Sequence, residues 1–228
     1  MCAKKRLGLY GGTFDPVHLG HVEVARKVSE LFGIEKVLFV PAQVAPHKLA
    51  REVTASIHRY AMLALATQSN SAALVSTFEL DAPDRRYTVD TIAHFQSSFA
   101  DANDLFFIMG ADSWSEITTW RDWERLLMMT NHIVVTRPGY DVNDRHINNV
   151  TRDRIVDLRL SAADPKRLLP EVSGNRIFVT DVVMKDISAT EIRQAAKEGR
   201  FDDLIKMVPQ SVAEYIKKYR IYRDSHEA

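Results

Sequence analysis

The strongest constraint on the fold is an alternation along the chain between short apolar runs and longer amphipathic segments. The apolar runs include "KVLFVPA", "DLFFIMG" and "HIVVT", whose length and composition are typical of buried strands. Between such runs lie Leu19–Phe32 and Thr88–Phe99, where apolar residues recur with helical spacing. This β-α-β-α order predicts an α/β fold with a doubly wound, mostly parallel sheet and helices on both faces.

The chain length of 228 residues fits one domain, which we assign to residues 1–228. Residues 140–175 are polar and carry few strand signals, so we expect a variable insertion there. Residues 188–228 are predicted to form a small C-terminal helical part. The short helices predicted in these two regions are Ile155–Leu160, Ser188–Glu198 and Ser211–Tyr219.

Composition narrows the classes of function. Lys+Arg and Asp+Glu both number 30, so the net charge is zero, which argues against binding nucleic acid by bulk electrostatics. The single cysteine, Cys2, excludes a disulfide framework within the chain. No apolar run approaches the roughly 20 residues of a membrane helix, and the N-terminal segment lacks a signal-peptide core. We therefore expect a cytoplasmic protein with neither nucleic acid nor a membrane as its partner.

The segment Gly11–His21, "GGTFDPVHLGH", follows a predicted strand and opens a predicted helix. Its glycine pair would let backbone N–H groups approach an anion beside a helix N-terminus, although a tight turn without a ligand has the same appearance. Neither the P-loop nor the dinucleotide fingerprint is present. A metal site at His18 and His21 would have only Asp15 and Glu23 as nearby acids, and Asp15 precedes Pro16, where it suits a turn. Thr13 is the only hydroxyl nearby. We interpret the histidines as hydrogen-bond donors to phosphoryl oxygens.

Two further segments combine a structural and a chemical interpretation. Gly110 follows a predicted buried strand, and Asp112 could either accept hydrogen bonds from ribose hydroxyls or cap the next helix. Ser188 and Glu191 have the spacing of a capping box, and a capped helix N-terminus is itself an anion site. Arg193 lies in the following turn, where its guanidinium could reach phosphate oxygens or remain solvated.

A second group of candidates lies at a predicted helix start and in connecting segments. Tyr87 and Thr88 open a predicted helix whose first N–H groups could bind a carboxylate or could simply begin the helix. Trp120 could stack on a flat cationic ring or could pack in the core. Lys48 and Arg137 are loop cations that could clamp a phosphate or could be ordinary surface charges.

The motifs resemble those of a known family. "GGTFDPVHLGH", with its His-x-Gly-His pattern, and "ISATEIR" are similar to the two signature motifs of the nucleotidylyltransferase superfamily. Further segments resemble, in the same order, those of the bacterial nicotinate-nucleotide adenylyltransferases. These segments are "PAQVAPHK", "RRYTVDT", "FIMGADSW", "TTWRDWE", "VVTRPGY" and "VPQSVAEYIKKYRIY".

The resemblance implies a Rossmann-like fold and an enzyme of NAD biosynthesis that transfers AMP from ATP to nicotinate mononucleotide, releasing pyrophosphate. It implies Mg²⁺ held mainly by the ATP phosphates, without a metal site made of protein side chains. The residues that it implies as catalytic are His18, His21 and Arg193. The residues that it implies as ATP-binding are Gly11, Gly12, Thr13, Phe14, Gly110, Asp112, Ile187, Ser188 and Thr190. The residues that it implies as binding the mononucleotide are Lys48, Tyr87, Thr88, Trp120 and Arg137.

Two alternative functions stay open at this point. Another adenylyl- or cytidylyltransferase, such as phosphopantetheine adenylyltransferase, would share the signature motifs, but Trp120 and the pair Tyr87-Thr88 argue for a pyridine acceptor. A nucleotide-binding sensor without turnover would not need His18, His21 and Arg193 together. The oligomeric state is open as well, with a homo-oligomer among the expectations.

Overall fold

A seven-stranded sheet forms the centre of the computed structural model. The model describes residues 5–43, 53–82, 86–99, 103–136, 142, 144, 146–160, 164–169, 174–183 and 187–223. The strands are β1 (Lys5–Gly12), β2 (Lys36–Pro41), β3 (Ala73–Val75), β4 (Asn103–Gly110), β5 (Asn131–Val135), β6 (Ile155–Asp157) and β7 (Ile177–Thr180). Their order across the sheet is β3-β2-β1-β4-β5-β7-β6, and every pairing is parallel. The predicted doubly wound parallel sheet is confirmed.

Helices connect the strands and cover the sheet. They are α1 (Leu19–Phe32), α2 (Ser56–Thr67), α3 (Thr88–Phe99), α4 (Ala111–Ser115), α5 (Trp123–Met129), α6 (Asn149–Arg152), α7 (Pro165–Leu168), α8 (Ala189–Lys197), α9 (Phe201–Met207) and α10 (Gln210–Lys218). Both α1 and α3 have the bounds that helical spacing predicts. None of the helices in the described part of the chain is long and apolar enough to cross a bilayer.

The strand order places a ligand crevice between β1 and β4. The chain runs from β1 outward to β3 on one side and then from β4 outward on the other, so the winding direction reverses between these two strands. Ligands of doubly wound sheets bind outside the carboxyl ends of the strands at such a reversal. Gly12 ends β1 and Gly110 ends β4, so both glycines lie at this point.

The core consists of two apolar layers, one on each face of the sheet. Phe106 belongs to the layer beneath α1, α8 and α10, and its neighbour Phe107 belongs to the layer beneath α3 and α5. Alternate residues of β4 therefore fill opposite faces, which explains why "LFFIM" is apolar without interruption. Burial on both faces holds the central strands, and thus their carboxyl ends, in fixed register.

The predicted helix Ile155–Leu160 is wrong. Residues Ile155–Asp157 form β6, which pairs with β7 at the edge of the sheet. A three-residue strand is too short for a periodic signal, and its conformation is set by pairing with β7, which comes about 20 residues later in the chain. The assignment of residues 140–175 as a variable insertion stays a prediction. Helix α9 was not predicted, although the two helices on either side of it were.

Candidate active site

The turn after β1 is packed around its two glycines. A Cβ on Gly11 would lie 2.8 Å from the Phe107 ring, and one on Gly12 would lie 2.9 Å from the Phe14 ring. Phe14 itself has a positive φ of 49° and is buried against Tyr10, with ring centroids 5.4 Å apart. Packing alone therefore requires this glycine pair. Both glycines are half-buried, so part of the backbone of this turn is exposed at the carboxyl edge of the sheet.

The two predicted histidines lie together where the turn enters α1. His18 is the N-cap of α1, and its backbone N–H donates to Nδ1 of His21 at 3.2 Å. The imidazole rings stack with centroids 3.7 Å apart, and His21 also meets the edge of Phe14. Because Nδ1 of His21 accepts a hydrogen bond, the proton of a neutral His21 ring is on Nε2. The hydrogen bond at Nδ1 therefore fixes the orientation of the Nε2–H donor of His21, beside the stacked ring of His18.

Arg193 reaches the same turn from the far end of the chain. It lies on α8, and its Nη1 donates to the carbonyl oxygen of Asp15 at 2.7 Å while Nη2 donates to Thr190 Oγ1 at 2.9 Å. The predicted capping box at the start of α8 is wrong, because Ser188 is the N-cap but its side chain makes no capping hydrogen bond. The predicted catalytic residues His18, His21 and Arg193 thus lie around one turn, although 172 residues separate His21 from Arg193 along the chain.

Arg59 of α2 is a buried arginine that was not predicted from the sequence. It holds the turn after β1 by hydrogen bonds. Its guanidinium donates to the carbonyl oxygen of Thr13 at 2.8 Å and to those of Ala42 at 2.7 Å, Gln43 at 3.1 Å and Thr54 at 2.9 Å. The side chain is only 1% exposed, and burial lowers its pKa while the nearby carboxylate of Asp15 opposes the shift. Arg59 therefore joins the turn after β1 to the segment after β2.

A sequence signal for Arg59 does exist. The buried residues of α2 are Arg59, Met62, Leu63 and Thr67, so the arginine falls on the apolar stripe of an amphipathic helix. Charged side chains are almost never fully buried without partners. A lone arginine on such a stripe therefore indicates a hydrogen-bonded structural role.

The end of β4 offers an open, polar surface. A Cβ on Gly110 would meet no atom of the described residues within 4 Å, in contrast to Gly11 and Gly12. Asp112 is exposed in the first turn of α4, whose N-cap is Gly110, so the capping alternative for Asp112 is wrong. Trp114 on the same helix is 1% exposed and packs in the core. The strand end therefore presents the Asp112 carboxylate to solvent beside a glycine.

The predicted acceptor residues lie around the start of α3. Thr88 is the first residue of α3, and the carbonyl oxygen of Tyr87 accepts hydrogen bonds from the next turn. The Tyr87 N–H donates to Asp90 Oδ2 at 3.4 Å, so one N–H of this helix start has a protein acceptor. Trp120 is half-buried and meets the Phe107 ring edge-to-face, with centroids 6.4 Å apart. Phe107 is thus in contact with Trp120 and directly beneath Gly11.

A buried carboxyl group lies under α3. Glu79 is 9% exposed, and Oε1 accepts a hydrogen bond from Thr91 Oγ1 at 2.7 Å. Burial raises the pKa of Glu79 to about 7, against the opposing effects of that hydrogen bond and of the positive charges of Arg86 and Arg59. The group therefore changes its ionisation near neutral pH, which the sequence did not indicate.

The remaining predicted residues are distributed as follows. Ile187 is half-buried and packs against the core beneath α8, while Thr190 is exposed at the start of that helix. Lys48 and Arg137, the two predicted phosphate clamps, lie outside the described residues. Among the described residues, no three His, Cys, Asp or Glu side chains gather as a metal site.

The class of this protein follows from a family profile. A histidine pair and a distant arginine surround the turn after the first strand of the parallel sheet. The profile described as "Cytidylyltransferase-like" matches residues 9–195, which is more than half of the chain, so the protein has a domain of this class.

Curated relatives then identify the family within this class. The chain is 39% identical over 224 residues to a "Probable nicotinate-nucleotide adenylyltransferase" of Thermoanaerobacter sp., covering 97% of this chain and 96% of the relative. A protein of the same name from Pelobacter propionicus is 39% identical over 220 residues, covering 96% and 99%. The chain belongs to the family of nicotinate-nucleotide adenylyltransferases.

Solved structures support the fold independently of close sequence similarity. The nicotinic acid mononucleotide adenylyltransferase of Plasmodium falciparum, complexed with NaAD, superposes with a TM-score of 0.69 at 20% identity, covering 96% of this chain and 97% of that one. The same protein complexed with APC superposes with a TM-score of 0.67. At this identity the similarity establishes the architecture alone.

Proposed function

We propose that this enzyme transfers AMP from ATP to nicotinate mononucleotide and releases pyrophosphate, as a step of NAD biosynthesis. An oxygen of the acceptor's phosphate attacks the α-phosphorus of ATP in line, and the bond from that phosphorus to the oxygen bridging to the β-phosphate breaks. The attacking oxygen is already anionic near neutral pH, because the second pKa of a phosphate monoester is about 6. The step therefore needs neither a general base nor a covalent intermediate.

The observation that carries the proposal is the stacked pair of His18 and His21 at the turn that also binds Arg193. In the transition state, negative charge spreads over the oxygens of the transferred phosphoryl group and the leaving pyrophosphate. Imidazole N–H groups and a guanidinium that are already oriented by the protein stabilise this charge without reorganising. The N–H groups at the start of α1 add partial positive charge at the same place.

The rest of ATP would lie across the crevice between β1 and β4. The exposed Asp112 carboxylate can accept hydrogen bonds from two ribose hydroxyls, and Gly110 leaves room for the sugar. We assign the turn after β1 and the start of α8 to the phosphates. The residues given these ATP-binding roles are Gly11, Gly12, Thr13, Phe14, Gly110, Asp112, Ile187, Ser188 and Thr190.

Nicotinate mononucleotide would lie beside α3. The indole of Trp120 offers a face for a cationic pyridine ring. We assign the nicotinate carboxylate to the start of α3, at Tyr87 and Thr88, where it would replace Asp90 as the acceptor of the Tyr87 N–H. Lys48 and Arg137 remain the candidates for the acceptor's phosphate. The names of the relatives and of the solved Plasmodium enzyme support this choice of acceptor.

Mg²⁺ is part of the proposal as an ion held by ATP phosphate oxygens and water. Magnesium dehydrates reluctantly and is commonly bound through substrate phosphates with few protein ligands. The donor set fits this mode, since no three His, Cys, Asp or Glu side chains gather among the described residues, and the carboxylate of the turn, Asp15, is buried and accepts hydrogen bonds from Tyr222 and Thr54. When bound, the ion would add neutralisation of phosphate charge. A cytoplasmic location, a homo-oligomer and the absence of nucleic-acid binding stay predictions.

The test is steady-state kinetics with ATP and Mg²⁺ against a panel of acceptors. We expect pyrophosphate and deamido-NAD in equal amounts with nicotinate mononucleotide, and a lower kcat/KM with nicotinamide mononucleotide. Preferential turnover of phosphopantetheine would instead identify a different adenylyltransferase. ATP binding without pyrophosphate release from any acceptor would favour the nucleotide sensor.

A further inference from the structure

Residues 219–223, which follow α10, form a turn that packs back onto the body of the protein. Arg220 and Tyr222 both have left-handed backbones, with φ of 50° and 72°. At Arg220 this conformation ends α10, and the Ile221 N–H donates to the Ile216 carbonyl oxygen at 3.1 Å. At Tyr222 it is uncommon for a non-glycine residue. Ile221 between them is 8% exposed and belongs to the core beneath α8. The packing of Ile221 in the core therefore fixes the position of its neighbour Tyr222.

Tyr222 is directed at the turn after β1. Its hydroxyl donates to Asp15 Oδ1 at 2.8 Å, across 207 residues of sequence. Burial raises the pKa of the Tyr222 phenol, and the adjacent Asp15 raises it further. The phenol therefore keeps its proton and can donate at any pH near neutrality.

Asp15 is the point at which four parts of the chain meet. It is 6% exposed, and its second oxygen, Oδ2, accepts from the N–H of Thr54 at 3.3 Å. Its backbone carbonyl accepts from Arg193 at 2.7 Å, and it lies three residues before His18. Tyr222 thus contacts the residue that connects the histidine-bearing turn with Arg193.

We propose that Tyr222 is a positioning residue for AMP transfer, which acts through Asp15 to hold His18, His21 and Arg193 in their mutual arrangement. The inference rests on the proposed function, because it requires the turn after β1 to be the reacting site. Misplacing a catalytic group by about 1 Å can cost on the order of 100-fold in rate, so a hydroxyl outside the reacting centre can control turnover. It also assigns a role to the C-terminal segment "YIKKYRIY", to which the proposed substrate-binding residues do not belong.

The experiment compares Tyr222→Phe with Tyr219→Phe. Each change removes one hydroxyl from the same C-terminal segment and keeps the aromatic ring, but Tyr219 is 51% exposed. The readouts are kcat, KM for ATP and for nicotinate mononucleotide, and Tm, with kinetics measured well below both unfolding transitions. We expect kcat of Tyr222→Phe to fall by roughly 10-fold with both KM values within about twofold. Tyr219→Phe should behave as the unmodified enzyme.

A double-mutant cycle with Asp15→Ala separates positioning from general damage. Because the two side chains act as one unit, adding Tyr222→Phe to Asp15→Ala should cause no further loss of kcat. Losses that multiply, equal kcat for Tyr222→Phe and Tyr219→Phe, or a change confined to KM for ATP would each overturn the inference. Failure of the unmodified enzyme to use ATP and nicotinate mononucleotide would instead refute the proposed function.

Discussion

The two sides of the candidate site are built in different ways. The turn that carries His18 and His21 is held by hydrogen bonds from distant segments, namely from Arg59, Arg193 and Tyr222. The side assigned to the acceptor is held by local contacts. The Tyr87 N–H donates to Asp90, and Trp120 packs edge-to-face with Phe107. Transition-state stabilisation requires donors fixed to within a fraction of an ångström, whereas stacking tolerates small displacements. We therefore expect the turn with His18 and His21 to determine kcat, and the acceptor side to determine KM for the acceptor.

The largest effect is expected from His18→Ala. Loss of one oriented donor to a charged transition state typically lowers kcat by about 100- to 1,000-fold, and we expect a loss in this range with the Tm nearly unchanged. Steady-state kinetics and a melting curve on the same sample provide the measurement. His58→Ala is the matched control, since its imidazole pairs with the hydroxyl of Tyr215 at 2.9 Å. Turnover of His18→Ala close to that of the control would contradict the assigned role.

Arg59→Met should affect both stability and turnover. The change keeps an unbranched apolar stem but leaves the carbonyl oxygens of Thr13, Ala42, Gln43 and Thr54 without the guanidinium. A buried acceptor without a donor costs about 1–3 kcal/mol, so we expect a clear fall in the free energy of unfolding. As the turn loosens, kcat should fall by roughly 10-fold, because one side of its support is lost.

The control for this variant is Arg26→Met on the exposed face of α1. Arg26 forms surface ion pairs with Glu23 and Glu30, which contribute little to stability. Denaturant unfolding and kinetics of both variants form one comparison. Equal stability of the two variants would show that the Arg59 hydrogen bonds do not hold the turn.

Trp120→Leu should separate the two sides of the site. Loss of a cation–π contact costs about 1 kcal/mol, so KM for nicotinate mononucleotide should rise by roughly fivefold while kcat stays within about twofold. Trp123→Leu removes another half-buried tryptophan of the same segment and should leave this KM unchanged. An equal rise of KM in both variants would mean that Trp120 is only a packing residue.

The smallest effect is expected in the pH dependence of stability, through the Glu79 carboxyl group beneath α3. The pKa of Glu79 is about 7 in the folded protein, above its ordinary value of 4.5, so the folded state binds this proton more tightly than the unfolded chain does. The stabilisation is complete below about pH 4.5 and is lost as the pH rises through about 7, by at most about 3 kcal/mol. In Glu79→Gln this loss should disappear.

The measurement is the free energy of unfolding of both proteins between pH 5 and 8, from urea titrations. We expect Glu79→Gln to gain stability relative to the unmodified protein as the pH rises, with kcat little changed. A constant difference across this range would show that Glu79 does not ionise there.

The parts of this fold that could be predicted from sequence are those set by local pattern. The helices α1 and α3 were predicted to the residue, since one apolar face repeats with helical spacing and clear breaks precede each start. Strand β4 was predicted because burial on both faces makes it continuously apolar. Ile155–Asp157 could not be predicted, because its strand conformation depends on pairing with β7.

The residues of the candidate site also differ in whether a local sequence pattern reveals them. His18 and His21 could be found because they lie within one continuous motif. Arg59 and Tyr222 were missed as supports of that motif, since each contacts it through backbone or side-chain groups at least 46 residues away. Hydrogen bonds across such separations leave no local spacing in the sequence.

The central claim is that the turn after β1 acts by binding charge during a single displacement at phosphorus. The most direct test uses ATPαS of known configuration as the donor and nicotinate mononucleotide as the acceptor, and determines the configuration at phosphorus in the dinucleotide product. A single in-line attack predicts inversion. Retention would require two displacements through an adenylylated side chain, and it would contradict the account.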